Sequence, residues 1–124
     1  MKRINIDKIN LLISKFQSGS NSELYEFKMF NLSVLDDCYA ISFEYTNNTN
    51  GLTYNGFFNL NRDILVYTNE LGQDTDVCKL DVKLWENSNP NNTISKDTVI
   101  PMAVIRHYDL LYLFLRSYIN EIIG

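Results

Sequence analysis

The chain is poor in the residues that carry most protein chemistry: it has one histidine, two cysteines, two prolines and five glycines. With a single histidine, His107, general acid–base work has one imidazole candidate, and a metal site has no second imidazole. Cys38 and Cys78 stand far apart with no Cys or His nearby, which fits neither a zinc spacing nor a disulfide framework, so both read as buried free thiols. Neither Gly-x-Gly-x-x-Gly nor Gly-x-x-x-x-Gly-Lys occurs, which removes the usual phosphate-binding loops. No cofactor is expected.

A long apolar run is also missing. Arg106, His107, Asp109 and Arg116 interrupt the most apolar segment, so nothing reaches the roughly 18 residues of a membrane span. Lys2 and Arg3 resemble the start of a secretory signal, but Asp7, Lys8 and Asn10 break the apolar residues behind them. The segment is expected to be a helix and the protein to be cytoplasmic. On that reading the sequons at Asn31, Asn47 and Asn91 are chance matches.

Positive charge is in short supply. The formal net charge is −4 and the pI about 4.8, so nucleic-acid phosphates would be repelled. Otherwise, 45% hydrophobic and 21% charged residues in 124 describe an ordinary folded domain, read as one unit over residues 1–124.

What is present is a clear order of periodicities. Ile6, Ile9, Leu12, Ile13 and Phe16 recur at helical spacing, with Asn5 as N-cap and Gly19 placed to end the helix. From Glu23 to Leu35 the apolar residues alternate, but the parity changes between Met29 and Phe30, which predicts a bulge. Asp36-Asp37 marks a turn, and Tyr39, Ile41, Phe43 and Tyr45 alternate with smaller or polar residues as in a half-buried strand. Asn50-Gly51 predicts a tight hairpin into the strand carrying Leu52, Tyr54, Gly56, Phe58 and Leu60.

Asn61 to Asp63 turns the chain into Ile64–Thr68, and Gly72 to Asp76 reads as a polar loop. A fifth strand sets Cys78, Leu80, Val82 and Leu84 opposite Lys79, Asp81, Lys83 and Trp85. Asn87 to Thr98 has no periodicity and reads as an exposed loop. After Pro101 a single helix is expected to reach Ile122, with Leu111, Phe114, Leu115, Tyr118 and Ile119 on one side. The expected fold is α+β and two-layered: an antiparallel meander of about five strands, flanked by an N-terminal and a C-terminal helix.

Candidate sites follow from charge. Between Ser20 and Pro90 there are eleven acids and four bases, a net −7, while the two ends together carry +3. Asp36, Asp37, Asp74 and Asp76 fall in turns, where Asp is also favoured by turn chemistry, and the set is too incomplete for a calcium loop. Tyr67, Phe57 and Trp85 take the outward parity of their strands. Aromatics beside acids suit an interface core with a charged rim, so Asp36, Asp37, Asp74, Asp76, Tyr67 and Trp85 are the expected partner contacts. Leu110 and Leu113 project away from the main apolar arc of the last helix and are candidates to pack a homodimer or the N-terminal helix.

In size, acidity and lack of a catalytic motif the chain resembles the small immunity and inhibitor proteins that bacteria and phages use against toxins or nucleases. The resemblance is one of type and carries over no residue. It implies a non-enzymatic protein-binding module with a basic protein partner, a toxin or nuclease, and no nucleic-acid or membrane ligand. Two other classes compete: a small enzyme or ligand binder with a pocket between sheet and last helix, near His107, Tyr108 and Cys38, and a phage or assembly subunit.

Overall fold

A computed structural model describes residues 4–19 and 25–123. Helix α1 spans Ile6–Gly19, followed by strands β1 (Tyr25–Val34), β2 (Cys38–Asn47), β3 (Leu52–Asn61), β4 (Leu65–Thr68), β5 (Asp74–Glu86) and β6 (Asn89–Pro101), then α2 (Met102–Ile105) and α3 (Tyr108–Ile123). All strand pairs are antiparallel. The fold is an open α+β sheet with helices at both ends of the chain, as the periodicities predict.

Asn5 caps α1 through its side chain, whose Oδ1 accepts the Asp7 N–H at 2.9 Å. The bulge in β1 lies where the parity changes: Lys28 faces Glu44 and Asn31 faces Ser42, so Met29 and Phe30 together oppose Phe43. This extra residue returns Phe30 and Leu32 to the core face that Phe27 already occupies. At the β2–β3 hairpin, Gly51 takes φ 72° and donates its N–H to the Asn47 carbonyl.

The six strands among the described residues form five rows. Leu80 of β5 faces Leu60 on one side and Thr98 on the other, while Val77 faces Leu65 and Pro101. Strands β3 and β4 therefore share one edge of β5, as a single row interrupted by residues 62–64, and β6 holds the other edge. Along the rows the predicted meander holds.

Three expectations need correction. The polar loop expected over Gly72 to Asp76 is shorter, because β5 begins at Asp74 and pairs Asp74 with Thr68 and Asp76 with Val66. The segment Asn87 to Thr98 is not a loop, because β6 runs from Asn89 to Pro101 along the outer side of β5. It lacks periodicity because only Ile100 is fully buried, and an edge strand this exposed needs no apolar alternation. The last helix is also divided. It breaks at Arg106 and His107, where the freed Arg106 carbonyl accepts the Lys8 ammonium from α1 at 2.9 Å.

All helices pack on one face of the sheet. Ile9, Leu12 and Phe16 of α1 and Leu111, Leu115 and Ile119 of α3 join Ile41, Phe58, Leu80 and Leu84 of the sheet in one cluster. Phe16 is its hub, with ring centroids of Phe27 at 5.5 Å, Phe30 at 5.0 Å and Tyr112 at 4.8 Å. The opposite face, with Ser42, Lys79, Asp81 and Lys83, is open to solvent. Among the described residues, no helix is long and apolar enough to cross a membrane.

Candidate interaction surface at the turn end of the sheet

The interruption between β3 and β4 organises one end of the sheet. Arg62 donates its N–H to the Asp37 carbonyl at 2.9 Å and its Nη1 to the Leu35 carbonyl at 2.8 Å, and its guanidinium lies over the Tyr39 ring at 5.2 Å. Ile4 donates its N–H to the Arg62 carbonyl and accepts the Tyr39 hydroxyl at 2.8 Å. One arginine thus ties the β1–β2 turn, the chain leading into α1 and the β3–β4 junction together.

Beyond this knot the β4–β5 hairpin projects past the core. Every residue of β4 is exposed, although three of the four are apolar. Leu65, Val66, Tyr67 and Leu71 are 40%, 64%, 57% and 82% exposed, and Val34 and Leu35 at the β1–β2 turn are about half exposed. The hairpin is nonetheless well built. Asn69 Oδ1 accepts the N–H groups of Leu71 and Gln73, Gly72 takes φ 75°, and Thr68 donates to Asp74 at 2.6 Å.

The acids gather at the same end. Asp36 and Asp37 form the β1–β2 turn, and Asp74 and Asp76 lie on the hairpin, next to Glu70 at its tip. Asp74 and Asp76 share a hollow of about 310 Å³ with Met102 and Arg106 of the α2 end, so one arginine faces them. Near Asp37, burial and then the neighbouring carboxylates push the Cys38 thiol up from its ordinary range.

Five of the six expected contacts, Asp36, Asp37, Tyr67, Asp74 and Asp76, therefore share one end of the molecule. Trp85 does not join them. It lies nine residues further along β5, roughly 30 Å away at the rise of a strand. There it meets Phe57 edge-on at 6.1 Å, beside a shallow hollow of about 230 Å³ on the open face, lined by Ser42, Glu44 and Asn55 as well. Glu23, counted with the acidic segment, lies outside the described residues.

Sequence reasoning missed Val34, Leu35, Leu65, Val66 and Leu71. The available signal was the apolar run Ile64-Leu65-Val66-Tyr67, which reads as an ordinary strand until its burial is known. Leu110 and Leu113 are exposed as expected, at 45% and 51%, and Leu113 borders a hollow with Lys15, Asp109, Tyr112 and Arg116.

Of the residues named for a pocket beside the last helix, His107 and Tyr108 stand at the start of α3 and Cys38 at the start of β2. His107 is exposed at the α2–α3 break, Tyr108 is 37% exposed, and Cys38 is buried at the far side of the β1–β2 turn. None of the three hollows described above is lined by any of them. Cys78 is fully buried, its Sγ 3.9 Å from the Asp63 carbonyl, and no group of three or more metal-ligating side chains occurs among the described residues. No family model matches the chain, and neither does any curated protein or solved structure.

Proposed function

We propose that this protein is a non-enzymatic binding module that docks on a basic protein through the turn end of its sheet. The observation that carries the reading is the β4–β5 hairpin, which exposes Leu65, Val66, Tyr67 and Leu71 within a rim formed by Asp36, Asp37, Glu70, Asp74 and Asp76. An apolar cluster outside the core contributes little burial energy to the free chain and gains it when a partner covers it. The acidic rim supports fast association with a positive surface and rejects acidic competitors. An inhibitor or immunity-type role against a basic toxin or nuclease, inside the cell, fits this chemistry.

The test is affinity capture on the immobilised protein at low and high salt, compared with a variant carrying Asn at positions 36, 37, 74 and 76. A partner retained at low salt, weakened by salt and lost with the four replacements supports the reading. Capture indifferent to both would overturn it.

A further inference from the structure

We infer that the free edge of β4 accepts an extended, basic segment of the partner as an added strand. The inference rests on the docking function proposed above and specifies its mode.

The ladder itself identifies the open groups. Asn69 donates its N–H to the Gln73 carbonyl at 2.9 Å, which closes the hairpin. Hydrogen-bonded pairs alternate along an antiparallel ladder, so Tyr67 with Thr75 and Leu65 with Val77 are the bonded pairs. Val66 and Thr68 then turn their N–H and C=O groups away from β5. No described strand lies on that side, because the row of β2 ends at Cys38, opposite Asn61. The β1–β2 turn closes the row, leaving, among the described residues, a slot beside β4 that one more short strand would fill in continuation of β2.

The other two edges carry protection that β4 lacks. Strand β1 has a bulge and Lys28, both of which discourage pairing. Strand β6 begins with Asn89-Pro90, ends at Pro101, carries Lys96, and has its Asp97 carbonyl accepting the Tyr118 hydroxyl at 3.3 Å. The sequence of β4, Leu-Val-Tyr-Thr, has neither charge nor proline.

The occupant follows from what surrounds the slot. Main-chain groups of Val66 and Thr68 would hold an extended backbone, and pockets beside alternate side chains would set its sequence. On β5, Asp76 is paired with Val66 and Asp74 with Thr68, while Asp36 and Asp37 stand at the end of the slot. Lysine or arginine at alternate positions of the incoming strand meets these carboxylates. A second copy of this chain would instead bring two acidic rims together, which opposes self-pairing.

The experiment uses the full-length isotope-labelled protein and a short peptide of alternating lysine and valine, with the same peptide N-methylated at alternate amides as its counterpart. On binding, the amides of Val66 and Thr68 gain protection from hydrogen exchange, and N-methylation lowers affinity at least about tenfold, because a lost donor leaves an acceptor unpaired. Val66→Pro lowers affinity similarly, and since the Val66 N–H makes no ladder bond, the fold is retained. If that variant does not fold, the N-methylated peptide on the unaltered protein decides alone.

Protection that appears along β1, along β6 or around Trp85 overturns the edge mode, as does equal affinity for the two peptides or failure of the first to bind. Protection of Val66 and Thr68 that rises with protein concentration alone makes a second copy the occupant and also overturns it. Each of these leaves the docking function standing if capture still depends on the four acids. Capture indifferent to those acids removes the docking function itself.

Discussion

Phe43 fills the space that a side chain on Gly56 would need. A Cβ at position 56 would lie 2.9 Å from Phe43 Cζ and 2.9 Å from the Lys83 carbonyl oxygen, and closer still to Leu84 Cδ2. Gly56 is thus a packing residue in the middle of the sheet, where β2, β3 and β5 bring Phe43, Gly56 and Leu84 into one cross-strand line. Gly56→Ala is expected to destabilise the protein by about 1–3 kcal/mol in urea unfolding, the usual cost of overpacking. Adding Phe43→Leu, which vacates one of the three contacts, recovers part of the loss.

Phe16 of α1 touches three other elements, β1 and β3 on the sheet and α3 beside it. Phe16→Ala is expected to cost about 3–5 kcal/mol in the same assay, since the surrounding rings cannot collapse into the vacated space. Phe16→Leu keeps most of the buried area and loses less.

Tyr39 spends its hydroxyl on the Ile4 carbonyl in a buried setting. Tyr39→Phe is expected to lower stability by about 1–3 kcal/mol, the cost of leaving that acceptor without its donor. Hydrogen exchange at the first turn of α1 rises with it, because Ile4 leads directly into the Asn5 cap.

Burial, reinforced by Asp63, pushes the Cys78 thiol up from 9.0 to about 11. Below pH 9 the folded and unfolded chains both hold this proton. Between about pH 9 and 11 the unfolded chain releases it and the folded chain keeps it, so stability falls as pH rises through that window. Urea titrations at increasing pH measure the slope, and Cys78→Ala reduces it. At pH 8 the folded protein is expected to leave Cys78 unreacted with thiol reagents until denaturant is added.

The legible parts of the fold were those where burial imposes a period. Strands β2, β3 and β5 bury one parity against helices, so Tyr39, Ile41 and Phe43, or Leu80, Val82 and Leu84, announce themselves. The bulge was legible for the same reason, since β1 must return Phe30 to the face of Phe27. Strand β6 buries only Ile100 completely and therefore writes no pattern. The break at Arg106 and His107 was hidden because neither glycine nor proline marks it, and a lysine from α1 stabilises the released carbonyl. At the candidate surface, Asp36 and Asp37 could be named from their turn and Tyr67 from parity, while Asp74 and Asp76, expected in a turn, lie on β5. The apolar neighbours could not, because Val66 in a projecting hairpin and Val82 in the core look alike until the length of the row beside each is known.

The meander places each row beside its neighbour in sequence, so the sheet closes mostly by short turns. The helix layer does not. Lys8 and the Arg106 carbonyl, which hold α1 to the start of the last helices, are 98 positions apart. Such a contact closes a loop of most of the chain, and its entropy is recovered more easily once the sheet has brought the ends near. Lys8→Met is accordingly expected to quicken unfolding while leaving the refolding rate unchanged in stopped-flow measurements, as for a contact made after the rate-limiting step. That outcome would mean that the sheet assembles as a platform first and that the two ends of the chain clasp over it last.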